Sequence, residues 1–186
     1  MARRLSDSAR AKMLRAAADV VVDTGIGRFA VDEVARRSGV AKTTIYRHFP
    51  DAKTLLVAAL DEAMHAPATP ETGSLRGDLL DYLESVRPHF ADRRLRTLFF
   101  ELFIAAERDR ELRRLSDELL RSRAAPTFAI FENARARGEL AAGVDYPTML
   151  DIVQGPLVLR SLTRPESLTN VDLDGMVERM ITALSA

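Results

Sequence analysis

The stretch Val31–Phe49, VDEVARRSGVAKTTIYRHF, decides the fold. Small, flexible and bulky residues fall in it where two short helices crossing at a sharp angle require them. Ala35 is small where the two backbones come closest, and Gly39, one helical turn on, can take the positive φ that ends one helix and turns the chain. Val34, Val40 and Ile45 fill the wedge between the helices and fix the angle at which the second is presented. An ordinary helical hairpin does not demand all of these together, so Val34, Ala35, Gly39, Val40 and Ile45 are read as the core of a helix-turn-helix.

With that wedge turned inward, the outward positions of the second helix are Lys42, Thr43, Thr44, Tyr46, Arg47 and His48, all able to donate hydrogen bonds. Such side chains suit base edges and phosphates in a major groove about 12 Å wide, where threonine methyls can also touch thymine. The plainer reading, a solvated helix face, leaves the wedge spacing unexplained.

Beyond the motif, helical periodicity dominates and nothing alternates like a half-buried strand, which predicts an all-α chain of about nine helices. A first helix is expected from Ser8 to Thr24, with Met13, Leu14, Ala17, Val20 and Val21 on one face and Gly25 as its stop. Asp51 caps a fourth helix reaching His65, and residues 66–74, rich in Pro, Thr, Gly and Ser, read as a loop. A fifth helix from Leu75 should end near Pro88, since proline cannot continue the backbone ladder. The sixth, after Asp92, carries Leu95, Leu98, Phe99, Leu102, Phe103 and Ala106 and suits the middle of a core. The seventh runs from Asp109 to Arg137, with Pro126 inside it and Gly138 as its stop. Asp145 caps the eighth, Tyr146 to Thr163. The ninth, Val171 to Ser185, carries one stripe of Leu173, Met176, Val177, Met180, Ile181 and Leu184. The expected division is a three-helix DNA-binding domain at 1–53, a connecting helix at 51–65, and a helical ligand-binding and dimerisation domain at 66–186.

An apolar fraction of 47% in 186 residues is enough for a sizeable packed core. The absence of cysteine excludes disulfides, thiolate nucleophiles and cysteine-based metal sites. The formal net charge of zero hides a split: residues 1–53 hold 11 Lys and Arg against 6 Asp and Glu, and the remainder 16 against 21. A basic first third beside an acidic remainder fits one part meeting a polyanion. The N-terminus lacks the order of a secretory signal, and no run approaches the roughly 20 apolar residues of a membrane helix. A cytoplasmic protein without a membrane partner is expected. No G-x-S-x-G, glycine-rich phosphate loop or H-E-x-x-H occurs, and His65 and His89 stand alone, so no catalytic residue, metal site or cofactor is assigned.

Residues 8–60 closely resemble the N-terminal domain of the tetracycline-repressor (TetR) family of transcriptional regulators, above all in Gly39–Leu56, GVAKTTIYRHFPDAKTLL. The resemblance implies a homodimer that reads a two-fold symmetric operator in double-stranded DNA, as a rule a repressor released by a small ligand in the C-terminal domain. It implies DNA-facing roles for Lys42, Thr43, Thr44, Tyr46 and His48, the last two on backbone phosphates, with Arg47 beside them. Two positions depart from the pattern. Ala30 stands where a capping threonine is common, and Ala52 occupies the place of a phosphate-binding lysine. Lys53 lies one position later, turned roughly 100° around the helix, and is the candidate anchor in its stead.

Phe99, Phe103, Phe128 and Phe131 are candidates for lining an apolar ligand site, although each taken singly reads equally as core. Glu101 and Gln154 are candidates for orienting a polar group of that ligand, whose identity the sequence leaves open. The eighth helix, with Met149, Ile152, Val153, Leu157, Val158 and Leu159, is apolar on more than one side, so one side can pack the domain and another a symmetry mate together with the ninth. The alternative is a helical ligand-binding or enzymatic protein that keeps the fold without reading DNA.

Overall fold

Side-chain caps start several of the helices. Ser6 accepts a hydrogen bond from Ala9 N at 3.2 Å, Asp51 from Thr54 N at 2.8 Å, Ser74 from Gly77 N at 3.1 Å, and Asp145 from Thr148 N at 2.8 Å. The structure, a computed structural model, describes residues 6–65, 67–140 and 145–184. Among these it is all-α: α1 (Asp7–Thr24), α2 (Val31–Ser38), α3 (Lys42–His48), α4 (Ala52–Ala63), α5 (Leu75–Ala91), α6 (Arg93–Ala106), α7 (Arg110–Ala136), α8 (Tyr146–Thr163) and α9 (Leu173–Leu184). Short 3₁₀ turns occupy Ile26–Arg28 and Pro165–Leu168. Ala66, the first residue of the expected loop, and Ser185, the expected end of the last helix, lie outside the described residues.

One boundary differs from expectation. Helix α5 does not stop at Pro88 but runs through it to Ala91. Proline removes one donor from the ladder, yet its carbonyl still accepts, and Asp92 N binds Pro88 O at 2.9 Å. Likewise α7 continues past Pro126.

The chain forms two compact units, Met1–His65 with Arg94–Leu120 and Ala66–Arg93 with Arg121–Ala186. The return of 94–120 to the first unit differs from the consecutive division read from sequence. In the first unit, α1 buries Ala16, Ala17 and Ala18 in succession, so it is central and packs against both α2 and α4. Around it lie Val31 and Val34 of α2, Ile45 of α3, Leu55, Leu56 and Leu60 of α4, and Leu98, Leu102 and Ala106 of α6. Helix α6 is less wholly buried than its composition suggested, because Ile104 is 63% exposed.

In the second unit, α5 packs against α8 and α9, and of the predicted α9 stripe Leu173, Met176, Val177, Met180 and Leu184 are buried while Ile181 is half-buried. A polar knot fixes the entry to α5. Asp78, fully buried, accepts from Thr72 N at 2.7 Å, from the Thr72 hydroxyl at 2.8 Å and from Arg137 at 3.1 Å. Glu139 in turn accepts from Arg137 Nε at 2.6 Å and from Leu75 N. Gly138, at φ 75°, lets the chain reverse between those two side chains.

Gly39 sits at φ 70° and ψ 10°, and its N–H donates to Ala35 O at 3.0 Å, closing α2. A Cβ added there would meet nothing within 4 Å, so its cost is conformational alone. Gly39→Ala is therefore expected to lower stability by roughly 1–2 kcal/mol in urea unfolding, with helix content unchanged. A neutral or stabilising effect would show that the turn is not held left-handed.

Candidate nucleic-acid interface

The wedge read from sequence is formed. Val34 and Ile45 are fully buried, and Ala35 and Val40 pack against the same core. With Ile45 inward, Lys42, Thr43, Tyr46, Arg47 and His48 are exposed and Thr44 is half-buried. Phe49 closes the helix by turning back into the core at 8% exposure. Thus one short helix carries its six donor side chains away from the unit that holds it.

No side chain caps the start of α2 or α3, since Ala30 and Ala41 have no hydroxyl or carboxylate to offer. Asp32 and Glu33 in the first turn of α2 compensate by charge, facing the positive end of the helix dipole.

The cations around this face are paired in ways the sequence did not reveal. Lys42 Nζ lies 2.5 Å from Asp32 and 5.9 Å from the centroid of the Tyr46 ring. The hydrogen bond to Asp32 raises the Lys42 pKa above its ordinary value. Glu33 binds Arg36 at 2.6 Å and Arg37 at 2.7 Å, and Arg37 reaches Asp23 of α1 at 2.5 Å. Those arginines hold the Glu33 carboxyl down to about 2. Lys53, the candidate phosphate anchor, instead bonds Asp109 at 2.8 Å and Glu111 at 2.9 Å, which raises its pKa further. It meets a phosphate only by exchanging those carboxylates.

The candidate ligand residues fall in both units. In the first, Phe99 and Phe103 of α6 pack with centroids 4.5 Å apart, and Phe99 meets Phe100 edge-on at 5.3 Å. Glu101 on the same helix accepts from Ile26 N at 3.1 Å, so its carboxylate holds the 3₁₀ turn between α1 and α2. In the second unit, Phe131 is fully buried, Phe128 meets Tyr146 edge-on at 5.0 Å, and Gln154 donates to the Tyr82 hydroxyl at 3.0 Å. Sequence reasoning missed Asp32, Asp109, Glu111 and Tyr82. Only the acidic first turn of α2 offered a signal, for Asp32.

A buried three-helix wedge presenting an outward, cationic seven-residue helix, on a chain with a further helical unit, defines a helix-turn-helix DNA-binding regulator. Comparison with known proteins gives the family. Residues 13–60 match the family described as bacterial regulatory proteins, tetR family, and residues 69–180 match the tetracyclin repressor-like C-terminal domain. The DNA-binding transcriptional repressor TetR of Mycobacteroides abscessus is 32% identical over 180 residues, covering 94% of this chain and 92% of that protein. The crystal structure of the TetR family transcription regulator SCO0332 is 30% identical, with a TM-score of 0.66 over 95% of this chain and 96% of the other. The FadR regulator of Bacillus subtilis, solved in complex with stearoyl-CoA, shares the fold with a TM-score of 0.73 at 20% identity, over 94% and 97% of the two chains.

The chain belongs to the tetracycline-repressor family of transcriptional regulators. It is a DNA-binding transcriptional regulator and not an enzyme, and members of this family bind operator DNA and small-molecule ligands and form dimers. The reading as an enzyme on a retained fold is set aside by that membership. Among the described residues no helix is long and apolar enough to cross a membrane.

The lowered Glu33 pKa has a sign that can be tested. The carboxylate's contribution is complete above its ordinary value of 4.5 and is lost as pH falls through about 2. Melting temperature should therefore fall from pH 4.5 towards pH 2 more steeply in the natural protein than in Glu33→Gln. Parallel acid limbs would show that Glu33 does not hold its two arginines.

Proposed function

We propose that the protein is a cytoplasmic repressor that binds as a homodimer, each α3 entering one of two successive major grooves about 34 Å apart on a symmetric operator. The observation that carries this reading is the outward face of α3 with Ile45 buried behind it. Lys42, Thr43 and Thr44, at the start of the helix, reach base edges and phosphates. Tyr46 and His48 hold backbone phosphates, with Arg47 beside them. Lys53 joins them when phosphate displaces Asp109 and Glu111. Residues 1–53 read DNA, the helix within 51–65 links them onward, and 66–186 hold the ligand and the partner protomer.

Support for α8 and α9 as the dimer surface is that Met149, Val153 and Leu157 are buried on one side of α8 while Leu159 and Leu162 stand 57% and 58% exposed on another. An open groove of about 450 Å³ between these helices, lined by Ile152, Pro156, Met176 and Met180 among others, suits side chains of a second copy. Repression as the sign of regulation follows the named repressor among its relatives. The ligand is mainly apolar, taken up in the second unit beside Phe128 and Phe131 with Gln154 meeting its polar end; FadR, of the same fold, was solved in complex with stearoyl-CoA.

Operator affinity is measured by gel shift on duplexes selected from genomic fragments. Tyr46→Ala and Lys42→Ala should each weaken binding about tenfold or more, and affinity should fall steeply with salt as counterions leave the phosphates. Unchanged affinity in both variants removes the reading face. In light scattering the protein should run as a dimer, and the double variant Leu159→Asp with Leu162→Asp as a monomer. A double variant that stays dimeric places the interface elsewhere.

A further inference from the structure

In the second unit three polar side chains from three helices meet in an apolar interior. Tyr82 of α5 is 4% exposed, and its hydroxyl accepts from the Gln154 amide of α8 at 3.0 Å. Thr127 of α7 stands next to that phenol and is fully buried, yet its hydroxyl makes no hydrogen bond of good distance and angle among the described residues, to the phenol or to any other group. One turn away on the same helices lie Leu79, Phe131 and Leu157, each fully buried.

The orphaned hydroxyl is not what a helix usually tolerates. A threonine or serine inside a helix commonly donates to a carbonyl one turn back. Thr24, Ser161, Thr163 and Thr182 all do so in this chain. Thr127 does not, and leaving a buried donor unused is costly. Burial is the largest influence on Tyr82 and pushes its pKa up, so the phenol keeps its proton.

We propose that Tyr82, Thr127 and Gln154 form the specificity-determining polar end of the ligand site, and that they read a carbonyl-type oxygen, of an ester, ketone or carboxylate, on an otherwise apolar molecule. This rests on the reading of the C-terminal domain as the holder of an apolar ligand. Two hydroxyl protons and an amide converge from three helices, and each is a donor or can act as one. A carbonyl oxygen, with two lone pairs, satisfies the Thr127 hydroxyl and one of its two neighbours, and a hydrocarbon satisfies none. Because the three groups come from α5, α7 and α8, such a ligand also ties those helices together.

The test uses the full-length protein and three probes of similar length: methyl decanoate, decanoate and undecane, each titrated by calorimetry. The ester and the acid carry the same acceptor without and with charge, so the one that binds more tightly identifies the source. At least one should bind about tenfold or more tightly than undecane, and Tyr82→Phe and Thr127→Val should each erase most of that margin while leaving undecane unchanged. Thr127→Val should also raise the melting temperature of the ligand-free protein by about 2–6 °C, since it removes an unsatisfied buried hydroxyl. A merely structural threonine would instead lower stability and leave the margin intact. Equal binding of undecane, or a margin that survives both variants, overturns this inference alone. If none of the three probes binds, the apolar-ligand reading falls together with it.

Discussion

Helix α3 has seven residues, about half the length at which an isolated helix becomes even marginally stable in water. Its existence and its direction are therefore imposed by what it packs against. Two features impose them: Ile45, fully buried in the core built on α1 and α4, and the left-handed turn at Gly39 that brings the chain back across α2. Burial of one isoleucine is worth roughly 1.5–3 kcal/mol, comparable with the whole intrinsic preference of so short a helix. Every outward donor owes its position to that anchor. A residue at 45 unable to fill the wedge would leave Lys42, Tyr46 and His48 in place along the sequence and without a fixed direction in space.

Electrostatics decides how that face waits for DNA. Lys42 and Lys53 rest on carboxylates of their own chain, and Arg36 and Arg37 share Glu33. Ion pairs as exposed as these contribute little to stability, because water screens them. They keep the side chains ordered without holding them against a polyanion. A phosphate, which releases condensed counterions when a lysine meets it, displaces such a carboxylate at little cost. The same reasoning separates Lys53 from the others, because two carboxylates hold it.

What was legible in the sequence is what depends on neighbours along the chain. The Gly39 turn, the Val34 and Ile45 wedge, the caps at Asp51 and Asp145 and the stripe of α9 are all set within a few turns of helix, and they stand as read. The outward side of α3 follows once its inward side is known. What the sequence hid depends on partners far along the chain. Glu101 bonds a backbone amide 75 residues away, and Lys53 meets acids 56 and 58 residues on, so neither periodicity nor spacing could announce them. Helix α5 ran past Pro88 because one missing donor is a smaller loss than the packing of Phe90 beyond it, which is buried. Family comparison supplies the role, and geometry supplies which side chains α3 turns outward.

The central claim, that α3 lies in the major groove, can be measured directly because the chain has no cysteine. The single variant Thr43→Cys, on the exposed face of α3, would carry a tethered metal chelate that cleaves nearby DNA. Cleavage in two clusters, centred about 10 base pairs apart and on the major-groove edges of the operator, is the predicted result. No cleavage in a complex that still forms, or cleavage spread without regard to the grooves, would contradict the account.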